Sequence, residues 1–218
     1  MVNPKQSMDQ RLFSARIVID NSIENAVILA AVTVFGYDLI RLQAARALYD
    51  EVIDLVAAQK REYGEQYEAT ALLQTAWDDA DLAYRRALKV SRAVFNGNEK
   101  ARNTLGLDGS RKFSLDGWME QAMFFYKGLL ETPDLLAAIT PYSYDLIKVQ
   151  AESDLVLAVV NAKKVQDGER AEAQHATKVR DAKMDELDNW LARYKPIAEV
   201  ALDDTPQLLE TLGWVVPS

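Results

Sequence analysis

The eight residues Tyr37-Asp38-Leu39-Ile40-Arg41-Leu42-Gln43-Ala44 return 107 positions later as Tyr144-Asp145-Leu146-Ile147-Lys148-Val149-Gln150-Ala151. Held without a gap, that offset also sets Leu29-Ala30-Ala31 on Leu136-Ala137-Ala138, Asp78 and Asp81 on Asp185 and Asp188, and Thr104-Leu105-Gly106 on Thr211-Leu212-Gly213. Residues 24–107 and 131–214 share 24 identities, where unrelated segments of this composition would share roughly five or six. A register kept over that distance predicts a tandem duplication, with helical repeat unit 1 at residues 1–107 and unit 2 at 108–218. The joint falls at about 106–114, where Asp108-Gly109-Ser110 forms the clearest turn cluster. Each copy has the size of a small domain, so the copies form either two domains or one bundle with pseudo-two-fold symmetry.

Within each copy the pattern is helical. No proline occurs from Tyr37 to Val94, and apolar positions step by threes and fours, which excludes strands of any length. Ala44, Leu48, Val52 and Leu55 form one stripe, repeated by Ala151, Leu155, Val159 and Ala162. Trp77, Ala80, Tyr84, Ala87, Ser91 and Val94 form a second, answered by Met184, Leu187, Leu191, Tyr194, Ala198 and Ala201. This seven-residue period buries a narrow seam against a neighbouring helix. Polar segments around Gly64 and Gly168 separate the stripes, so each of 37–94 and 144–201 reads as an antiparallel helical hairpin. A single helix of over 50 residues is the rival, because one interior glycine costs only about 1 kcal/mol. Ser7 followed by Gln10 fits a capping box. Thr132-Pro133 and Thr205-Pro206 each read as an N-cap followed by proline at the first helical position. The fold class expected is therefore all-α and bundle-like, with short N-terminal helices and a long hairpin in each copy.

Composition narrows the chemistry. The 218 residues contain no cysteine and one histidine, which removes disulfides, thiolate metal sites, thiol nucleophiles and multi-histidine cages. The formal charge is −8, and the Lys and Arg pairs have acids close by, so nucleic acid is not an expected partner. The best apolar stretch, residues 26–35, is too short for a bilayer. No secretory pattern opens the chain. A cytoplasmic protein without membrane contact is the expectation, with self-association left open.

Four groups of residues could carry chemistry. Glu172 and His175 have the Glu-x-x-His spacing of ferritin-like di-metal sites, but the matched segment of the first copy reads Glu65-Gln66-Tyr67-Glu68 and supplies no second histidine. Asp78-Asp79-Ala80-Asp81 and Asp185-Glu186-Leu187-Asp188 loosely resemble the aspartate-rich motif of helical isoprenoid synthases. Leu82 stands where the third aspartate belongs, and a solvated helix face is the simpler reading. The aromatics Trp77, Tyr84, Trp118, Phe124, Phe125, Tyr126, Trp190 and Tyr194 suit a packed core. Tyr63, Tyr67 and Trp214 fit a core less well and are candidate partner contacts, the two tyrosines flanking the expected turn. Glycine-rich phosphate loops, nucleophile elbows and dinucleotide fingerprints are absent from the sequence.

The tandem helical organisation, with its closing Leu208-Leu209-Glu210-Thr211-Leu212-Gly213-Trp214-Val215-Val216 segment, resembles a type of uncharacterised all-helical bacterial repeat protein. That resemblance implies no activity and no cofactor. The reading at this level is a non-enzymatic protein for protein–protein interaction or scaffolding. The alternative is a metal- or small-ligand-binding bundle that uses the acidic helix faces and His175.

Overall fold

The computed structural model describes residues 6–215. Among them it contains eight α-helices, one short 3-10 turn and no strand. In chain order they are α1 (Met8–Glu24), α2 (Ala26–Val34), α3 (Leu39–Val94), α4 (Glu99–Leu105), α5 (Leu115–Glu131), α6 (Pro133–Ile139), α7 (Leu146–Ala201) and α8 (Gln207–Thr211). The starts of α1 and α5, of α2 and α6, and of α3 and α7 lie 107 residues apart, as do the ends of α3 and α7.

The expected hairpins do not form. α3 and α7 are uninterrupted helices of 56 residues each. Gly64 and Gly168 sit inside them, with open space where a Cβ would be. A glycine costs a helix about 1 kcal/mol, too little to stop one that continues with good helix formers and an apolar seam on both sides. Tyr63 and Tyr67 therefore lie in mid-helix instead of beside a turn.

The compact units do not follow the division at residue 107. One unit comprises residues 1–62 and 172–218, the other residues 63–171. The first takes α1, α2, the N-terminal part of α3, the C-terminal part of α7 and α8. The second takes the C-terminal part of α3, α4, α5, α6 and the N-terminal part of α7. Each unit thus combines the opening helices of one sequence half with the closing helices of the other.

In the first unit, α1 starts with the expected capping box: the Ser7 hydroxyl accepts the Gln10 N–H at 3.3 Å, and the Gln10 side chain accepts the Ser7 N–H at 2.9 Å. Asn25 both ends α1 and caps α2, accepting the N–H groups of Val27 and Ile28 at 3.0 and 3.3 Å. These two helices are bent by 91°, and no single helix among the described residues is long and apolar enough to cross a membrane. The core forms from Leu12, Ala15 and Ile19 of α1 against Ala45, Tyr49 and Val52 of α3 and Met184 and Leu187 of α7. Next to it, Val18, Ile28, Val32 and Tyr37 pack with Leu42, Tyr194, Ala198 and Leu212. Gln59 and Thr177 (3.2 Å) and Glu51 and Lys183 (3.3 Å) pair across the antiparallel α3 and α7 segments.

The second unit has one continuous core. Tyr84, Trp118, Phe125 and Tyr126 meet edge to face or tilted, with ring centroids 5.5–6.2 Å apart around Tyr84. Val149, Val156 and Val159 of α7 complete it. The seam from Ala80 to Ser91 is buried as expected, as are Met184, Leu187, Tyr194 and Ala198. Phe124 departs from the expectation, lying 52% exposed. So do Ala44 and Ala151, which are exposed, while Val52 and Val159 of the same predicted stripes are buried as expected; towards the start of α3 the buried stripe runs instead through Leu42, Ala45 and Tyr49.

Candidate interaction surface

The repeated octapeptide builds the same corner twice. Asp38 accepts the Arg41 N–H and Asp145 the Lys148 N–H, each at 2.9 Å, so both aspartates cap the first turn of a long helix. Tyr37 and Tyr144 are buried. A cation covers each ring at 4.0 Å from the centroid, Arg41 in one corner and Lys148 in the other, an attraction that keeps the charge close to the aromatic face. Leu42 and Val149 are fully buried beneath.

The remaining positions of the octapeptide face solvent. Leu39, Ile40, Gln43 and Ala44 are exposed, as are Leu146, Ile147, Gln150 and Ala151. Ile40 is 77% and Ile147 80% exposed. Ile40, Gln43 and Ala44 occupy positions i, i+3 and i+4 and so form one stripe of helix surface. Phe35 and Tyr142, also exposed, precede the two stripes at matched positions.

The stripe is identical in the two corners, as are the buried Tyr37/Tyr144 and Val52/Val159, while three other core-facing positions beside it have diverged. Leu42 stands against Val149, Ala45 against Glu152, and Tyr49 against Val156. Packing explains the divergence, since cores accept apolar exchanges that keep volume and pattern. It does not explain an exposed isoleucine kept at both places, because burial contributes nothing there. Sequence reasoning had the signal in hand, the octapeptide itself, but placed only its Ala44 and Ala151 in an apolar seam and left Ile40 and Ile147 without a role.

The other sequence candidates fall as follows. Glu172 and His175 are exposed on α7 in the first unit, and among the described residues neither belongs to a group of three ligand atoms close enough to share an ion. In the acidic clusters Asp78, Asp79 and Asp185 face solvent, whereas Asp81 and Asp188 hold the fold together. Asp81 accepts the Trp118 indole N–H at 2.8 Å and pairs with Arg111 and, at 3.2 Å, with Arg85. Asp188, its match in the first unit, pairs with Arg11, which occupies the position matched to Trp118. Tyr67 is 73% exposed and Tyr63 38%. Trp214 is half-buried against Tyr194, 6.3 Å between centroids.

One partly buried ionisable pair escaped sequence reasoning. The Tyr126 hydroxyl donates to Glu152 at 2.9 Å. Burial lifts the Glu152 carboxyl above the usual value near 4.5, against the opposing pull of that hydrogen bond and of Lys148 and Arg86. Burial also pushes Tyr84 up to about 12 and raises Tyr126. These groups lie inside a packed aromatic core, so they set stability. In comparisons with known proteins, no family model, no curated protein and no solved structure matches this chain.

Proposed function

We propose that this chain is a non-enzymatic interaction or scaffold protein, a tandem duplication of one helical unit that presents the same contact stripe twice. The observation that carries the reading is the identical exposed stripe, Leu39/Ile40/Gln43/Ala44 and Leu146/Ile147/Gln150/Ala151, kept without burial while Leu42/Val149 and Tyr49/Val156 of the core have diverged. A small central alanine flanked by isoleucine, leucine and glutamine suits the face of a partner helix, whether from another protein or from a second copy. Two such stripes on one chain allow two attachments, so a bivalent partner gains avidity without any new kind of contact.

Two further observations support the duplication. The Asn21 side chain donates to the Thr211 carbonyl at 2.5 Å. At the matched place of the second unit, Gly128 lets α5 approach the Thr104 carbonyl so closely that a Cβ would stand 2.8 Å from its oxygen. The same junction, α1 on α8 and α5 on α4, is thus made twice with different residues. Copies that exchange the closing halves of their long helices account for both this and the composition of the units.

Replacement of Ile40 and Ile147 by lysine tests the function. Both side chains are exposed, so the variants should melt with the wild type. A wild-type mass above 24.5 kDa by light scattering that returns to the monomer value in the double variant identifies a second copy as partner. A captured protein that each single variant holds more weakly and the double variant loses identifies a different chain. The reading is overturned if wild type and double variant share both mass and bound proteins. Tyr67 and Trp214 enter this scheme as secondary contacts, tested by the same assay. The metal-binding alternative has less support, because Glu172 and His175 stand exposed and the partly buried aspartates are engaged with Arg and Trp.

A further inference from the structure

A groove of about 620 Å³ runs between α5 and α7 in the second unit. Met123, Phe124 and Leu130 of α5 and Val156 and Leu157 of α7 form its walls, with Lys127 on the α5 side and Ser153 on the α7 side. All of the lining belongs to this one unit. The volume is that of a small-molecule site, and apolar walls with a few polar groups are the usual lining of one. Phe124 is held at the groove by α4: its ring lies so close to Gly106, the left-handed residue that ends α4, that a Cβ there would stand 3.1 Å from it.

The 107-residue offset sets this groove on a place in the first unit that is bridged by charge. There Arg16, Asp20, Arg46 and Asp50 stand where the groove has Met123, Lys127, Ser153 and Leu157, and Tyr49 stands where it has Val156. Asp20 pairs with Arg46 and, at 3.2 Å, with Arg16. Arg46 also reaches Asp50 at 3.2 Å and lies over the Tyr49 ring, 5.1 Å from its centroid. Side chains of α1 and α3 thus tie those helices together. In the second unit serine and valine replace the bulky Arg46 and Tyr49, methionine and leucine replace Arg16 and Asp50, and the acid at the centre of the network becomes a lysine. Packing alone does not explain the exchange, because Met123 and Leu157 remain exposed and apolar surface left in water contributes nothing to stability.

We propose that this groove binds a single-chain aliphatic carboxylate, its hydrocarbon chain on Met123, Phe124, Val156 and Leu157 and its carboxylate between Lys127 and the Ser153 hydroxyl. Charge complementarity selects the head. Lys127 is the one cation among the lining residues. Of the two acids at the rim, Glu120 is engaged by Lys112 at 2.8 Å, and Glu131 stands 3.9 Å from Lys127, beyond hydrogen-bonding distance, so a carboxylate bonded to the ammonium is the closer partner. The walls select the tail, because an unbranched chain follows a groove between two helices and flexible methionine and leucine side chains repack around it. The inference rests on the comparison of the two places and stands apart from the exposed stripes, none of whose residues lines the groove.

Calorimetric titration of the full chain with hexanoate, octanoate and decanoate, each below micelle formation, tests it, with octanamide as the uncharged control. The expected result is one saturable site per chain, with affinity rising about three- to fourfold for each added methylene and the amide bound about fivefold more weakly than octanoate. Lys127→Met should abolish the preference for acid over amide while keeping the dependence on chain length. Ser153→Arg with Leu157→Asp, which gives the groove two residues of the first unit's network, should abolish binding of all four ligands at an unchanged melting temperature. Absence of saturable binding by the wild type, an affinity indifferent to chain length, equal affinity for acid and amide, a preference that survives Lys127→Met, or full binding by the Ser153→Arg, Leu157→Asp variant would each overturn the proposal.

Discussion

Asp81 and Asp78 look alike in the sequence and carry different loads. Asp81 satisfies the indole of Trp118, a fully buried side chain, as well as two arginines. Asp81→Ala should destabilise the protein by about 1–3 kcal/mol in urea unfolding, because it leaves a buried donor without its acceptor. Asp78, exposed and among the described residues held by Gln74 of its own helix at 2.9 Å, should cost at most about 0.5 kcal/mol when replaced by alanine. Equal losses would show that Trp118 finds another partner. Glu152 gives a prediction in pH. Its folded value lies above its unfolded one because burial disfavours the charged form. It therefore adds to stability while protonated, and that contribution is lost as pH rises through the folded value. Glu152→Gln keeps an acceptor for Tyr126, so it should match the wild type near pH 4 and exceed it at pH 7. A difference that stays flat over this range would show that the carboxyl ionises as freely in the fold as in the unfolded chain. Neither role was legible from sequence, where an aspartate in an acidic run and a glutamate on a helix have no visible partner.

At the scale of elements, the Ser7 capping box and the seam from Ala80 to Ser91 were legible because they are local and need only a few residues of one segment. The joins between segments were not. Gly64 and Gly168 resemble turn signals, yet each sits in a helix that packing on either side carries through. Their replacement by alanine should stabilise the protein by about 1 kcal/mol each, since the space for a Cβ is open and the unfolded chain loses conformational freedom. A loss of stability on thermal melting would restore the turn. Gly128 should respond in the opposite direction. A methyl group there meets the Thr104 carbonyl and Leu105 at 2.8–2.9 Å, so Gly128→Ala forces α4 and α5 apart and should cost about 1–3 kcal/mol. In the first unit that junction is made by the Asn21 side chain, so the glycine's purpose appears only when the two junctions are set side by side.

The repeated pattern in the sequence predicts related halves, but it does not say which half a seam faces. A stripe such as Met184 to Ala198 fits the opening helices of either copy equally well by pattern, and only contact chooses. Here it packs on α1, α2 and the start of α3, from the other half of the chain. The consequence is testable with fragments. Residues 63–171 form one of the two compact units without interruption, contain the whole aromatic core around Tyr84 and Trp118, and should fold alone as a cooperative monomer. Residues 1–107, although the sequence pattern reads them as one copy, hold the opening helices of one unit and the closing helices of the other. Alone, they leave Leu12, Ala15 and Ile19 without Met184 and Leu187, and Ala80, Tyr84 and Ala87 without Trp118, Phe125 and Tyr126, a burden of exposed apolar surface that a chain of this length cannot carry as a folded monomer. Mixed with residues 108–218, they should regain helical structure and a sharp melting transition at the mass of the intact chain, 24.5 kDa. Circular dichroism and light scattering on the three fragments decide the matter. Independent folding of 1–107 as a monomer, with no gain on adding 108–218, would mean that each sequence copy closes on itself, and the exchange of long-helix halves would have to be abandoned.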